Sequence, residues 1–72
     1  MDENRVLAVF SKWLNEVEAS RGGLRVTPGE VTERFLLHFP QYISLRVSLR
    51  RRARELINWR GGEFHADPKK WK

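Results

Sequence analysis

Residues 27–59 read TPGEVTERFLLHFPQYISLRVSLRRRARELINW. Two helices and the corner between them are written in this stretch. Three signals at its front agree on a helix start. Thr27 can cap through its hydroxyl, Pro28 suits the first helical position, and Glu30, three residues on, completes a capping box. The helix sends Val31, Phe35, Leu36 and Phe39 inward. Pro40 stops it, because proline lacks an amide donor and disfavours the helical conformation of the residue before it. Gln41-Tyr42-Ile43 then reads as a short connection, with Ser44 as the N-cap of a third helix running to about Trp59. On a wheel advanced by about 100° per residue, Leu45, Leu49, Ala53 and Leu56 share one sector, flanked by Ile57 and Trp59. The opposite side carries Val47, Arg50, Arg51, Arg54 and Asn58, with Arg46 on the border. Arg52 falls beside the apolar sector, where its stem can lie on the core edge while its charge stays in water.

Before this stretch, apolar residues at 6, 10, 13 and 17 repeat with the three-four spacing of a helical face, which predicts a first helix from Glu3 to about Ala19. Asp2 and Glu3 place negative charge where a helix dipole favours it. Arg21-Gly22-Gly23 reads as the stop, and Leu24-Arg25-Val26 as a short strand. After the basic helix, Gly61-Gly62 either closes it or turns a hairpin between Trp59-Arg60 and Glu63-Phe64. Glu63-Phe64-His65-Ala66 alternates like a strand, Asp67-Pro68 marks a turn, and Lys69-Lys70-Trp71-Lys72 follows. Trp59 and Phe64 read as plugs of a small core, because aromatic burial dominates such cores. Trp71 either folds back to cap that core or lies out beside the last β segment. The expected fold is mainly α with a small β element: one domain over residues 1–72, built on a three-helix core.

Composition narrows the function. The chain has 72 residues, a net charge of +5, 40% hydrophobic residues and no cysteine. It is too apolar for a disordered tail, and it offers neither a disulfide scaffold, a Cys-ligated zinc finger nor a thiol nucleophile. No apolar run approaches the roughly 18 residues of a membrane span. The start is acidic where a signal peptide would be basic, so a soluble cytoplasmic protein is expected, nucleoid-associated or, in a eukaryote, nuclear. His38 and His65 lie far apart, and the two Gly pairs are turns rather than phosphate loops. No metal, cofactor or enzymatic activity is expected.

The charge is not spread evenly. Residues 1–40 sum to −1 and residues 61–72 to +1, whereas residues 41–60 carry Arg46, Arg50, Arg51, Arg52, Arg54 and Arg60 against Glu55 alone. A face kept basic for solubility mixes Lys, Arg and Glu; this one is all Arg, the planar donor suited to phosphates and guanine edges.

The order of helix, short strand, helix, turn, basic helix and Gly-turned β segment resembles the winged helix-turn-helix family. The resemblance runs from about Asn4 to Trp71 and is carried by Thr27-Pro28-Gly29-Glu30, by Phe39-Pro40-Gln41-Tyr42-Ile43 and by the helix from Ser44 to Trp59. It is a likeness of architecture. The turn begins with Pro where the common compact turn often uses Gly, and room for a returning wing strand is short. The resemblance implies a helix-turn-helix core with a wing, whose third helix enters the major groove of double-stranded DNA. The residues expected to contact nucleic acid are Ser44, Arg46, Val47, Ser48, Arg50, Arg51, Arg54, Arg60, Lys69 and Lys70. The implied role is that of a small transcription regulator or recombination accessory protein. The same Arg-rich surface also suits an acidic protein partner such as RNA polymerase, or RNA, and a homodimer would extend the few base pairs that one module reaches.

Overall fold

A computed structural model describes residues 2–71, so Lys72 of the basic tail lies outside the described residues. Three helices and a two-stranded antiparallel sheet enclose the core, in the order α1 (Glu3–Val17), β1 (Leu24–Val26), α2 (Pro28–His38), a 3-10 turn (Pro40–Leu45), α3 (Arg46–Asn58) and β2 (Phe64–Ala66). The mainly α architecture with a small β element is the one the sequence predicts.

α1 starts where Asp2 accepts a hydrogen bond from the Asn4 amide at 3.0 Å. It buries Val6, Phe10, Leu14 and Val17 and half-buries Trp13. It ends two residues earlier than expected, and not at the Gly pair. The chain beyond Val17 instead pairs with β2: the Ala19 amide donates to the His65 carbonyl at 2.8 Å, and the Asp67 amide donates to the Val17 carbonyl at 2.7 Å. Glu18 is extended and bridges Ala66, so groups that a longer helix would use internally are engaged by the sheet.

Gly22 and Gly23 then turn the chain into β1, both with positive φ. Gly23 passes so close to β2 that a β-carbon there would stand 2.6 Å from the Ala66 carbonyl oxygen. β1 pairs with β2 in the register Leu24 to Ala66, Arg25 to His65 and Val26 to Phe64. Alternation sends Val26 and Phe64 into the core and leaves Arg25 outside, 3.5 Å from Glu63.

α2 begins with the expected capping box. The Glu30 amide donates to the Thr27 hydroxyl at 3.2 Å, and the Thr27 amide donates to the Glu30 carboxylate at 3.1 Å. Val31, Thr32, Phe35 and Leu36 are buried, and Phe39 closes the helix half-buried. The buried Thr32 hydroxyl donates to the Pro28 carbonyl at 2.8 Å, so it leaves no unsatisfied group in the core.

The corner differs from the expected short connection. Pro40–Leu45 winds as a 3-10 turn that runs directly into α3. Ser44 lies inside that turn and is not a capping residue; Leu45 occupies the N-cap position with no side-chain hydrogen bond. The Arg46 amide already donates to the Ile43 carbonyl, so the preceding turn satisfies a donor that a hydroxyl would otherwise take.

α3 buries Leu49, Ala53, Leu56 and Ile57. Gly61-Gly62 closes it: Gly61 has φ +85°, and the Gly62 amide donates to the Ile57 carbonyl at 3.0 Å. No hairpin forms at these glycines, and among the described residues β2 pairs with β1 alone within the sheet.

Aromatic rings fill the centre. Phe10 and Phe35 meet edge to face at 4.9 Å, and Trp13 meets Phe35 at 5.4 Å. Trp71 folds back onto Trp13 at 6.0 Å, with the Arg34 guanidinium 5.2 Å above its ring. Phe64 is the core plug the sequence suggests, but Trp59 is not: it is 74% exposed. It caps the C-terminus of α3, just past the last helical residue Asn58, while Phe64 is buried in the core with the Arg60 guanidinium 5.8 Å from its ring centre.

The glycine turn gives a direct test. Gly23→Ala must hold a positive φ and displace backbone on β2, so it lowers stability by about 3 kcal/mol or more, whereas Gly22→Ala, facing open space, costs about 1 kcal/mol. Urea unfolding with unchanged slope reads the difference.

Candidate nucleic-acid interface

The buried side of α3 dictates what its other side presents. With Leu49, Ala53, Leu56 and Ile57 turned inward, Arg46, Val47, Arg50, Arg51 and Arg54 all face water. Arg46, Arg50 and Arg54 follow one another one turn apart, at about 6 Å intervals. The first turn of α2 stands beside them. Together they line a groove of about 620 Å³, with Gly29, Glu30 and Glu33 on the α2 side and Arg46, Val47, Arg50, Arg51 and Arg54 on the α3 side. The Arg50 guanidinium lies over Gly29, 3.8 Å from where a β-carbon there would stand.

Five of the ten expected contact residues therefore share one groove. The other five do not line it. Ser44 is exposed within the 3-10 turn, and Ser48 is half-buried on α3. Lys69 and Lys70 are exposed on the turn after β2, where the Asp67 carboxylate accepts from the Lys69 amide at 3.0 Å.

Arg60 is the clear correction. Its guanidinium faces α1, where Nε donates to the Glu18 carboxylate at 2.9 Å and Nη2 donates to the Asn15 side-chain oxygen at 2.7 Å. Nη1 donates to the Leu56 carbonyl at 2.9 Å. Arg60 ties α3 to the end of α1. Its position after the last turn of α3 sets it apart from the arginine face, and its side-chain partners Glu18 and Asn15 lie more than forty residues away in sequence, where no local pattern reveals them.

The arginines in the groove are held differently. Arg46 Nε sits 3.0 Å from the Glu33 carboxylate, with both side chains about half exposed. Such an exposed pair is worth about 0–1 kcal/mol, so it orients Arg46 without locking it. No salt bridge involves Arg50, Arg51 or Arg54 among the described residues. Three neighbouring guanidinium groups are thus left without a carboxylate in salt-bridge range among the described residues.

Sequence reasoning missed the α2 wall. Glu30 was visible only as a capping residue, and Glu33 only within the charge sum of residues 1–40. That the two flank the arginines depends on how α2 crosses α3. Their spacing of three residues, on the side of α2 away from the buried Val31 and Phe35, was the available signal.

Other chemistry is not assembled here. Among the described residues no group of three His, Asp or Glu side chains gathers as a metal site. No helix among them is long and apolar enough to cross a membrane.

The two kinds of ion pair predict different costs. Arg60→Ala breaks charge-assisted bonds in a half-buried site and lowers stability by about 2 kcal/mol, whereas Arg25→Ala, losing only the exposed pair with Glu63, changes it by less than about 0.5 kcal/mol. Thermal melts of the two variants side by side check this.

Compared with protein-family profiles, with curated proteins and with solved structures, the chain finds no match.

Proposed function

We propose that this protein binds double-stranded DNA by laying α3 in the major groove, as a small transcription regulator or recombination accessory protein. The observation that carries the reading is the cluster of Arg50, Arg51 and Arg54, exposed and, among the described residues, without carboxylate partners, beside a groove open to solvent. Each phosphate neutralised by such a cation releases counterions, which drives binding and makes it salt-dependent. Guanidinium groups also fit the paired acceptors of guanine in the major groove. With its side chains an α-helix is about 10–12 Å across, which matches a major groove about 12 Å wide. One such helix reaches few base pairs, so a useful site requires a second copy or a protein partner beside it.

The test is duplex binding at several salt concentrations. Replacing Arg50, Arg51 and Arg54 together by Ala lowers affinity by about two orders of magnitude near 0.1 M salt and flattens the dependence of log K on log salt by about 0.9 per lost phosphate contact. Lys69→Ala with Lys70→Ala, which also removes positive charge but outside the groove, has a smaller effect. Equal effects of the two sets would reduce the reading to bulk charge. Unchanged duplex binding by the triple variant would end it. A stoichiometric protein partner that survives nuclease, with no affinity for duplex, would transfer the arginine face to an acidic protein surface instead.

A further inference from the structure

Val47 is the one uncharged residue on the α3 side of the groove. It is 73% exposed, yet it stands among Arg46, Arg50, Arg51 and Arg54. A β-branched residue on an exposed helix position gains nothing from core packing and has lower helix propensity than Ala or Leu. Across the groove stand Glu30, whose carboxylate accepts from the Thr27 amide at 3.1 Å, and Glu33, whose carboxylate pairs with Arg46 at 3.0 Å. A phosphate drawn into this groove would still meet the negative charge of both side chains and, at Val47, a pair of methyls that offer it no donor. A base edge would not suffer that repulsion. The layout therefore favours phosphates at the arginines and a base edge against Val47.

The major-groove edge has one apolar feature, the methyl group on C5 of a pyrimidine. Resting on the DNA-binding reading above, we propose that Val47 is a specificity-determining contact for a pyrimidine C5 methyl, so that the protein prefers duplex carrying that methyl over the same duplex without it. Thymine and 5-methylcytosine present the same group, and the two are separated by experiment. Removing one methyl from such a contact weakens binding by about threefold to fourfold.

The measurement uses four short duplexes: alternating dA and dT, the same with deoxyuridine for every dT, alternating dG and dC, and the same with 5-methyl-dC. Each is titrated with the wild-type chain and with Val47→Ala. The substitution is at an exposed position and raises helix propensity, so the variant keeps its fold, which a thermal melt verifies. The expected result is a threefold to fourfold preference of the wild type for dT over dU, and a gain on methylating dC, with both preferences abolished in V47A. A preference confined to one pair supports the contact and names its source, thymine or 5-methylcytosine. Equal wild-type affinity for methylated and unmethylated members of both pairs overturns the inference while leaving DNA binding intact. A methyl preference that persists undiminished in V47A also overturns it, because the effect then comes from duplex shape. Absence of binding to all four duplexes at low salt removes the DNA-binding reading together with this one.

Discussion

Burial of one side of α3 is the constraint from which the rest follows. Leu49 and Ala53 are fully enclosed, and Leu56 and Ile57 nearly so. Ala53 is small, which lets α3 lie close against its neighbours without leaving a void. Once that side is fixed, the helical period leaves no freedom over which residues face outward. The capping box at Thr27 does the complementary job for α2, defining where its first turn begins and so where Glu30 and Glu33 stand relative to the arginines. The groove is a by-product of two helices each obliged to bury a stripe.

Arginine alone does not define the interface; its angular position does. Arg60 and Arg54 are the same residue type six positions apart, yet one is bound into the fold and the other is free of it. Arg60 follows the end of α3 and meets Glu18, which is itself held extended by the sheet. Arg46 is intermediate, leaning on Glu33 in a pair weak enough to yield to a ligand. The molecule thus sorts five similar cations into fastening, adjustable and outward-facing positions by geometry alone.

What could be read from residue order was whatever depends on neighbours in the chain. Thr27, Pro28 and Glu30 announce the start of α2, Pro40 its end, and the alternation at Leu24–Val26 a strand; all appear where expected. The wheel of α3 correctly separates Leu49, Ala53 and Leu56 from Val47, Arg50, Arg51 and Arg54. What could not be read depends on partners far along the chain. α1 stops at Val17 because β2 claims the following backbone groups, and Ser44 goes unused because a 3-10 turn already feeds α3. Trp59 is outside because it falls at the C-cap of α3, beyond the turns whose inner side the core fixes. The α2 wall of the groove belongs to the same class, since only the crossing of α2 and α3 brings it into being.

The pairing of β1 with β2 has a consequence for how the chain comes to be folded. β1 must wait for a partner that lies beyond the whole of α2 and α3. Until Phe64 arrives, the core that also holds Phe10, Leu14 and Phe35 lacks one of its fully buried rings. The β1–β2 pairing is thus a long-range contact, whose loop-closure cost falls once α2 and α3 have folded back between its ends. Until the two strands meet, the unpaired edge of β1 is what an incompletely folded molecule exposes, the kind of edge that invites association with other chains.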